Sequence, residues 1–257
     1  MTSALEAGPR LADLGEDARN TRFERLQERM APVWEAMRRD VAGESIVVVP
    51  SVMPDTAHGG GAMVQAYEER FLFLLLLLRQ PRLHVIYVTG RPVAPEIVDY
   101  YLGLLPGVIP SQARRRLHML AVHDGSARPL AAKLLERPRV LAEVRARIPD
   151  PARCHLVPYS TTALERDLAL TLGVPLYGAD PRLLPLGTKT GCRRLFAEAG
   201  VAHPLGREGV RGVADVTEAL VAMRAARPGM AEAIVKLDEG VAGRGNAVVD
   251  LRDLPAP

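Results

Sequence analysis

Of the 33 basic residues in this 257-residue sequence, only Lys133, Lys189 and Lys236 are lysines; the other thirty are arginines. A chain that uses Arg as its general base marks, with each Lys, a position where a compact ammonium is needed and a planar guanidinium does not fit. Lys189 opens a helical stretch within Gly187-Thr188-Lys189-Thr190-Gly191. Lys236 stands near the end of an apolar strand, Ala233-Ile234-Val235-Lys236-Leu237, and the glycine-rich turn Asp238-Glu239-Gly240-Val241-Ala242-Gly243-Arg244-Gly245-Asn246 follows directly. Polyphosphate binding needs these parts: point charges, a helix N-terminus with unpaired N–H groups, and glycines that let backbone N–H groups approach closely. The candidate nucleotide-binding residues are therefore Lys189, Lys236, Gly240, Gly243, Gly245 and Asn246. Lys133 reads as an ordinary helix-surface residue.

Two familiar phosphate motifs are excluded. A P-loop requires a glycine before the lysine, and Thr188 precedes Lys189. A dinucleotide fingerprint requires a third glycine after Gly243-Arg244-Gly245, and Val248 stands there. The six histidines show no metal-ligand spacing, so no zinc site is expected. No serine lies in a GxSxG context, and Cys154-His155 reads as a strand end in the core. The loop Asp55–Gly61, with His58-Gly59-Gly60-Gly61, is a second place where an anion or an acceptor substrate could sit, because it joins a strand to a helix at the edge where α/β ligand sites collect. A plain flexible loop explains it equally well.

The elements that must position these residues follow from pattern. Residues 1–20 are polar and read as a frayed lead-in; Thr21–Arg39 has helical spacing through Phe23, Leu26, Met30, Val33 and Met37. Short strand-like runs at Ile46–Val49 (β-branched), Leu83–Val88, Leu117–Val122, His155–Val157 and Val174–Tyr177 alternate with helical segments, including a long one over Met63–Arg79. That alternation predicts an α/β domain with a mainly parallel sheet over about residues 40–181, after a lead-in and helix at 1–39. From 182 to 257 the pattern changes to helices at Thr188–Ala199 and Val213–Ala226, then two strands, Glu232–Leu237 and Asn246–Leu251: a smaller α+β unit.

Composition bounds the rest. With 48% hydrophobic and 25% charged residues the chain can bury a core, and 4% aromatics argue against base-stacking recognition of single-stranded nucleic acid. The net charge of +3 is mild, and Arg114-Arg115-Arg116 reads as the wet face of a helix, so no nucleic-acid partner is expected. The apolar run Phe71–Leu78 is far short of the ~20 residues a membrane span requires, and no signal-like leader precedes it. The expectation is a cytoplasmic protein with no membrane partner.

The stretch Gly187-Thr188-Lys189-Thr190-Gly191-Cys192-Arg193-Arg194-Leu195-Phe196-Ala197-Glu198-Ala199-Gly200-Val201, followed by Pro204 and Gly206, resembles the opening of an ATP-grasp fold. Ile234-Val235-Lys236, with the loop through Gly243, Gly245 and Asn246, resembles its second signature. The likeness is to ATP-grasp carboxylate–amine ligases of the pheganomycin-type peptide ligase kind, and Val49-Pro50-Ser51 and Tyr177–Pro181 are similar to the Rossmann-like domain that precedes ATP-grasp there. The resemblance implies that Lys189 and Lys236 contact ATP phosphates and that the loop 238–245 closes over them. It implies ATP and Mg²⁺ as cofactors, small-molecule carboxylate and amine or peptide substrates, and reaction through an acyl-phosphate. In that family the acidic Mg²⁺ ligands follow the glycine-rich hairpin, and the sequence reaches Pro257 about where they would begin. The reading therefore expects the pre-ATP-grasp domain and a partial, N-terminal ATP-grasp lobe. A non-catalytic nucleotide-binding or scaffold protein of the same ancestry is the alternative, and a Rossmann-like nucleotide site at residues 51–61 is a third.

Overall fold

The computed structural model describes residues 11–39, 43–53, 60–240, 243 and 245–252. The chain divides into two compact units, Met1–Pro181 and Arg182–Pro257.

In the first unit four strands form one parallel sheet: β1 (Ser45–Val49), β2 (His84–Thr89), β3 (Leu117–Ala121) and β4 (Cys154–Pro158), in the order β3-β2-β1-β4. A parallel bridge between Leu156 and Leu176 extends the sheet past β4. The α/β expectation with a mainly parallel sheet holds. Every residue of β1 is buried, as expected of a parallel strand covered on both faces. Alternate residues serve two cores. Val47, Val49, Ile86, Val88 and Leu156 face one layer of helices, and Ile46, Val48, Val85 and Tyr87 face the other.

The first layer includes α1 (Glu16–Gln27), α6 (Leu130–Leu135), α7 (Pro138–Ala146) and α8 (Ala163–Leu172), whose start is fixed by a capping box between Thr162 and Glu165. The expected single helix over 21–39 is two, α1 and α2 (Met30–Arg39), and the helix begins before residue 20. The polar lead-in reading fails over 16–20 because its partners are distant in sequence: Arg166, 2% exposed, ion-pairs with Glu16 and donates to Asn20 at 2.6 Å, and Arg19 pairs with Asp167 at 2.6 Å. Residues 1–10 lie outside the described residues.

The second layer holds α4 (Pro95–Gly103), α5 (Pro110–Arg115) and the leucine run. The helix read over 63–79 is α3 (Gly60–Arg70) followed by a 3₁₀ helix, Phe71–Arg79. Three residues per turn place Leu72, Leu75 and Leu78 on one line, all fully buried, with Phe73 and Leu76 outward. Uniform leucine carries no period, so the tertiary contacts decide the pitch. Arg116, read as wet, instead closes this element: its guanidinium donates to the carbonyls of Leu78, Gln80 and Leu83 at 2.7–2.8 Å.

Lys133 is the larger correction. It is fully buried, and its ammonium donates to the carbonyl oxygens of Asp124 at 2.9 Å and Ser126 at 2.7 Å. Burial pushes its pKa down. Asp124 is held in turn by the backbone N–H of Ser126 and by Arg137, which together keep its carboxyl well below the usual range. Lys133 thus ties the loop after β3 to α6. The rarity of lysine flagged a position needing a compact ammonium, and this is one.

In the second unit, α9 (Lys189–Glu198) and α10 (Val213–Ala226) accompany an antiparallel pair, β5 (Glu232–Lys236) and β6 (Asn246–Asp250). Among its described residues only Gly191, Ala219, Ala233 and Leu251 are buried, while Ile234, Leu237 and Val248 stay more than half exposed. Among the described residues no helix is long and apolar enough to cross a membrane.

Candidate functional site

Lys236 is the last residue of β5 and pairs in register with Asn246, the first of β6. Side chains alternate along a strand, so Ile234 and Lys236 share one face with Val248 and Asn246, and that face is exposed. A lysine at this place costs no burial and holds its charge at the end of a pleated support.

Lys189 is the first residue of α9, after the N-cap Thr188. Its ammonium donates to the carbonyls of Gly240 at 2.6 Å and Asp238 at 3.3 Å. The backbone of the same junction is tied as well. Lys189 N–H donates to Asp238 O at 3.1 Å, and Thr190 N–H donates to the Asp238 carboxylate at 2.7 Å. Gly191 and Cys192 N–H groups go to the side chain and carbonyl of Thr188, at 3.0 and 2.8 Å. All four N–H groups of the helix's first turn are therefore spoken for. The unpaired helix N-terminus expected from the sequence is not available, because Asp238 supplies the anion that the dipole and free donors attract. The Thr190 N–H, the nearby threonine hydroxyls and the Lys189 charge hold the Asp238 carboxyl below its ordinary pKa.

The glycine turn is closed at its base by Leu237 N–H to Gly245 O, 2.8 Å. Gly243 and Gly245 have φ of 77° and 76°, the left-handed region where glycine carries no penalty. Gly245 is doubly required, since a Cβ there would lie 2.6 Å from the Leu237 side chain. Gly240 presents its carbonyl to Lys189. Val241, Ala242 and Arg244 lie outside the described residues, as do His58 and Gly59 of the alternative loop; Gly60 and Gly61 open α3.

Lys189 and Lys236 line one cleft of about 880 Å³. Its lining includes Leu205, Val216, Leu220 and Met223, and also Arg193, which sequence reading missed as a site residue. Arg193 lies one turn after Lys189, on the same helix face, and that spacing was the available signal. It ion-pairs with Glu208 and donates to Pro204 O at 3.0 Å, so it fixes the 204–208 link; a Cβ on Gly206 would lie 2.7 Å from its guanidinium. Asp238 was also missed, because a carboxylate inside a phosphate-binding region argues against itself until its hydrogen bonds are seen.

Comparison with known proteins bears on this unit. Residues 184–256 match the family model described as IQCH-like, ATP-grasp. The chain is similar to the L-propargylglycine–L-glutamate ligase of Streptantibioticus cattleyicolor, 29% identical over 191 residues, covering 71% of this chain and 39% of that protein. It is similar as well to IQ motif-containing protein H of Danio rerio, 28% identical over 190 residues, covering 68% of this chain and 18% of that protein. The chain thus spans well under half the length of either relative. No solved structure matches it. The resemblance to ATP-grasp ligases noted in the sequence stands over this segment.

ATP-grasp chemistry implies Mg²⁺, and the described residues do not fit it. Of the carboxylates lining the cleft, Glu208 is paired with Arg193, Glu232 with Arg252, and Asp238 with the first turn of α9. Among the described residues no group of three or more His, Cys, Asp or Glu could hold a metal ion.

Proposed function

We propose that this chain, which carries an ATP-grasp segment of the IQCH-like kind over residues 184–256, binds the triphosphate of ATP in the cleft of its second unit as part of an ATP-dependent carboxylate–amine (peptide) ligase. The observation that carries the reading is that Lys189 and Lys236, from a helix start and a strand end, line the same cleft. Two ammonium groups there offset the repulsion of a polyphosphate. Lys236 is exposed and offers a point charge, with the Asn246 amide across the ladder as a neutral partner. Lys189 has three N–H donors and spends two on loop carbonyls, which leaves one for a phosphate oxygen. Gly240, Gly243 and Gly245 carry no Cβ, so a phosphate can approach the backbone closely at those three positions. When bound, ATP supplies the phosphoryl group that turns a carboxylate into an acyl-phosphate, leaving ADP, and an amine then displaces inorganic phosphate to give an amide.

The test is equilibrium binding of ATP to the full chain by calorimetry. Lys236→Ala is expected to weaken binding at least tenfold, and Lys189→Ala as much. Unchanged affinity in both variants refutes the reading. Ligase chemistry is tested by ATP-dependent phosphate release on adding amino acids, beginning with L-glutamate, one of the two substrates in the name of the Streptantibioticus relative.

A second reading, nucleotide binding without catalysis, is favoured by the absence of uncommitted carboxylates among the described residues of the cleft. ATP binding with no phosphate release from any amino acid pair selects it.

A further inference from the structure

Asp238 stands two residues after Lys236 and reaches back to the other lysine's helix. Its carboxylate takes Thr190 N–H at 2.7 Å, and its carbonyl takes both the N–H and the ammonium of Lys189, at 3.1 and 3.3 Å. The next glycine carbonyl, Gly240 O, takes the same ammonium at 2.6 Å. Four hydrogen bonds therefore join one short stretch, 238–240, to the first two residues of α9. Three involve a full charge, which roughly doubles their strength over neutral ones.

We propose that Asp238 is a positioning residue: it fastens the start of the glycine turn to α9 and so sets the Lys189 ammonium in the cleft that Lys236 also lines. This rests on the reading of that cleft as a polyphosphate site and deepens it. The consequence is coupling. Lys189 holds the turn with two donors and has a third for an incoming anion, so anion binding and turn docking reinforce each other through one ammonium. By reciprocity, whatever loosens the turn weakens the anion, and the bound anion protects the turn. The simplest rival gives Asp238 the opposite sign. As an internal carboxylate at a helix N-terminus it would merely occupy the phosphate's place, and removing it would tighten binding.

The experiment uses the full chain with ATP and with inorganic tripolyphosphate as probes, and Asp238→Ala and Asp238→Asn as variants. Asn retains a side-chain oxygen that accepts from Thr190 N–H; Ala does not. Asp238→Ala is expected to weaken both probes about tenfold or more, in line with lost charge-assisted hydrogen bonds, and Asp238→Asn is expected to recover most of that loss. Without any probe, amide hydrogen exchange at Lys189, Thr190 and Leu237 should speed up in Asp238→Ala and stay near wild type in Asp238→Asn. Equal or tighter binding by Asp238→Ala overturns the proposal and leaves the nucleotide reading standing. If the wild-type chain binds neither probe, the nucleotide reading fails by itself, and exchange decides the fastening: unchanged protection in Asp238→Ala overturns it. Thermal unfolding midpoints check that both variants fold.

Discussion

The Lys189 ammonium lies 2.6 Å from the carbonyl oxygen of Gly240, so the cation at the start of α9 is already part of the glycine turn before any ligand arrives. Lys236 has a different situation: it is exposed at the end of β5, opposite Asn246. The two lysines line one cleft but should respond differently to mutation.

Lys236→Ala is expected to leave stability within about 0.5 kcal/mol of wild type, as for an exposed side chain without special contacts. Lys189→Ala removes two hydrogen bonds from an ammonium and is expected to cost about 1–3 kcal/mol. Urea unfolding of the full chain, read by a probe in the second unit, separates them. Equal stability losses would show that Lys189 is not fastened to the turn.

Lys133→Met is expected to destabilise the first unit by about 2–4 kcal/mol. The substitution keeps the stem's volume but strips the Asp124 and Ser126 carbonyls of a buried donor. Denaturant midpoints followed by far-ultraviolet circular dichroism check this. A neutral outcome would mean that Lys133 is the surface residue its sequence context suggests.

Two glycines of the same turn make a controlled pair. Gly243→Ala meets nothing within 4 Å among the described residues and is expected to carry the cost of a left-handed backbone, about 1 kcal/mol. Gly245→Ala carries that cost and also drives a Cβ to 2.6 Å from Leu237, so it is expected to lose more and to disturb the Leu237–Gly245 closure. Melting temperatures rank the two, and the reverse order would contradict the placement of Leu237.

His155 on β4 is 2% exposed and its Nδ1 has no hydrogen-bond partner among the described residues. Burial alone pushes its pKa from 6.5 down to about 4. The unfolded chain then binds more protons than the folded one between those values. Stability from this group is intact above pH 6.5, falls as pH drops from 6.5 towards 4, and levels off below, for a total of roughly 3 kcal/mol. Unfolding free energy measured across pH 4–7 should slope upward with pH, and His155→Leu should flatten the slope. An unchanged slope in the variant assigns the acid sensitivity elsewhere.

Much of the fold was legible in the sequence because its signals are local. Apolar runs stopped by Pro or Gly mark the strands, and the start of α8 rests on a capping box between Thr162 and Glu165, three residues apart. The leucine run and the polar stretch 16–20 were misread because their structures depend on partners that are remote in sequence. Leu72, Leu75 and Leu78 follow the core they enter, and Glu16 and Asn20 follow Arg166.

Local sequence was enough to show which residue types could meet a polyphosphate: a lysine at a helix start, a lysine at a strand end and a turn rich in glycine, in a chain that otherwise uses arginine. What each of them does was set by contacts across the fold. Hydrogen bonds between residues far apart in the chain place Asp238 on the helix N-terminus, commit Lys189 to the turn, bury Lys133 beneath a loop and leave Lys236 exposed. Residue type fixes what an ammonium can donate; the fold fixes which acceptors lie within 3 Å of it, and no local pattern encodes that distance.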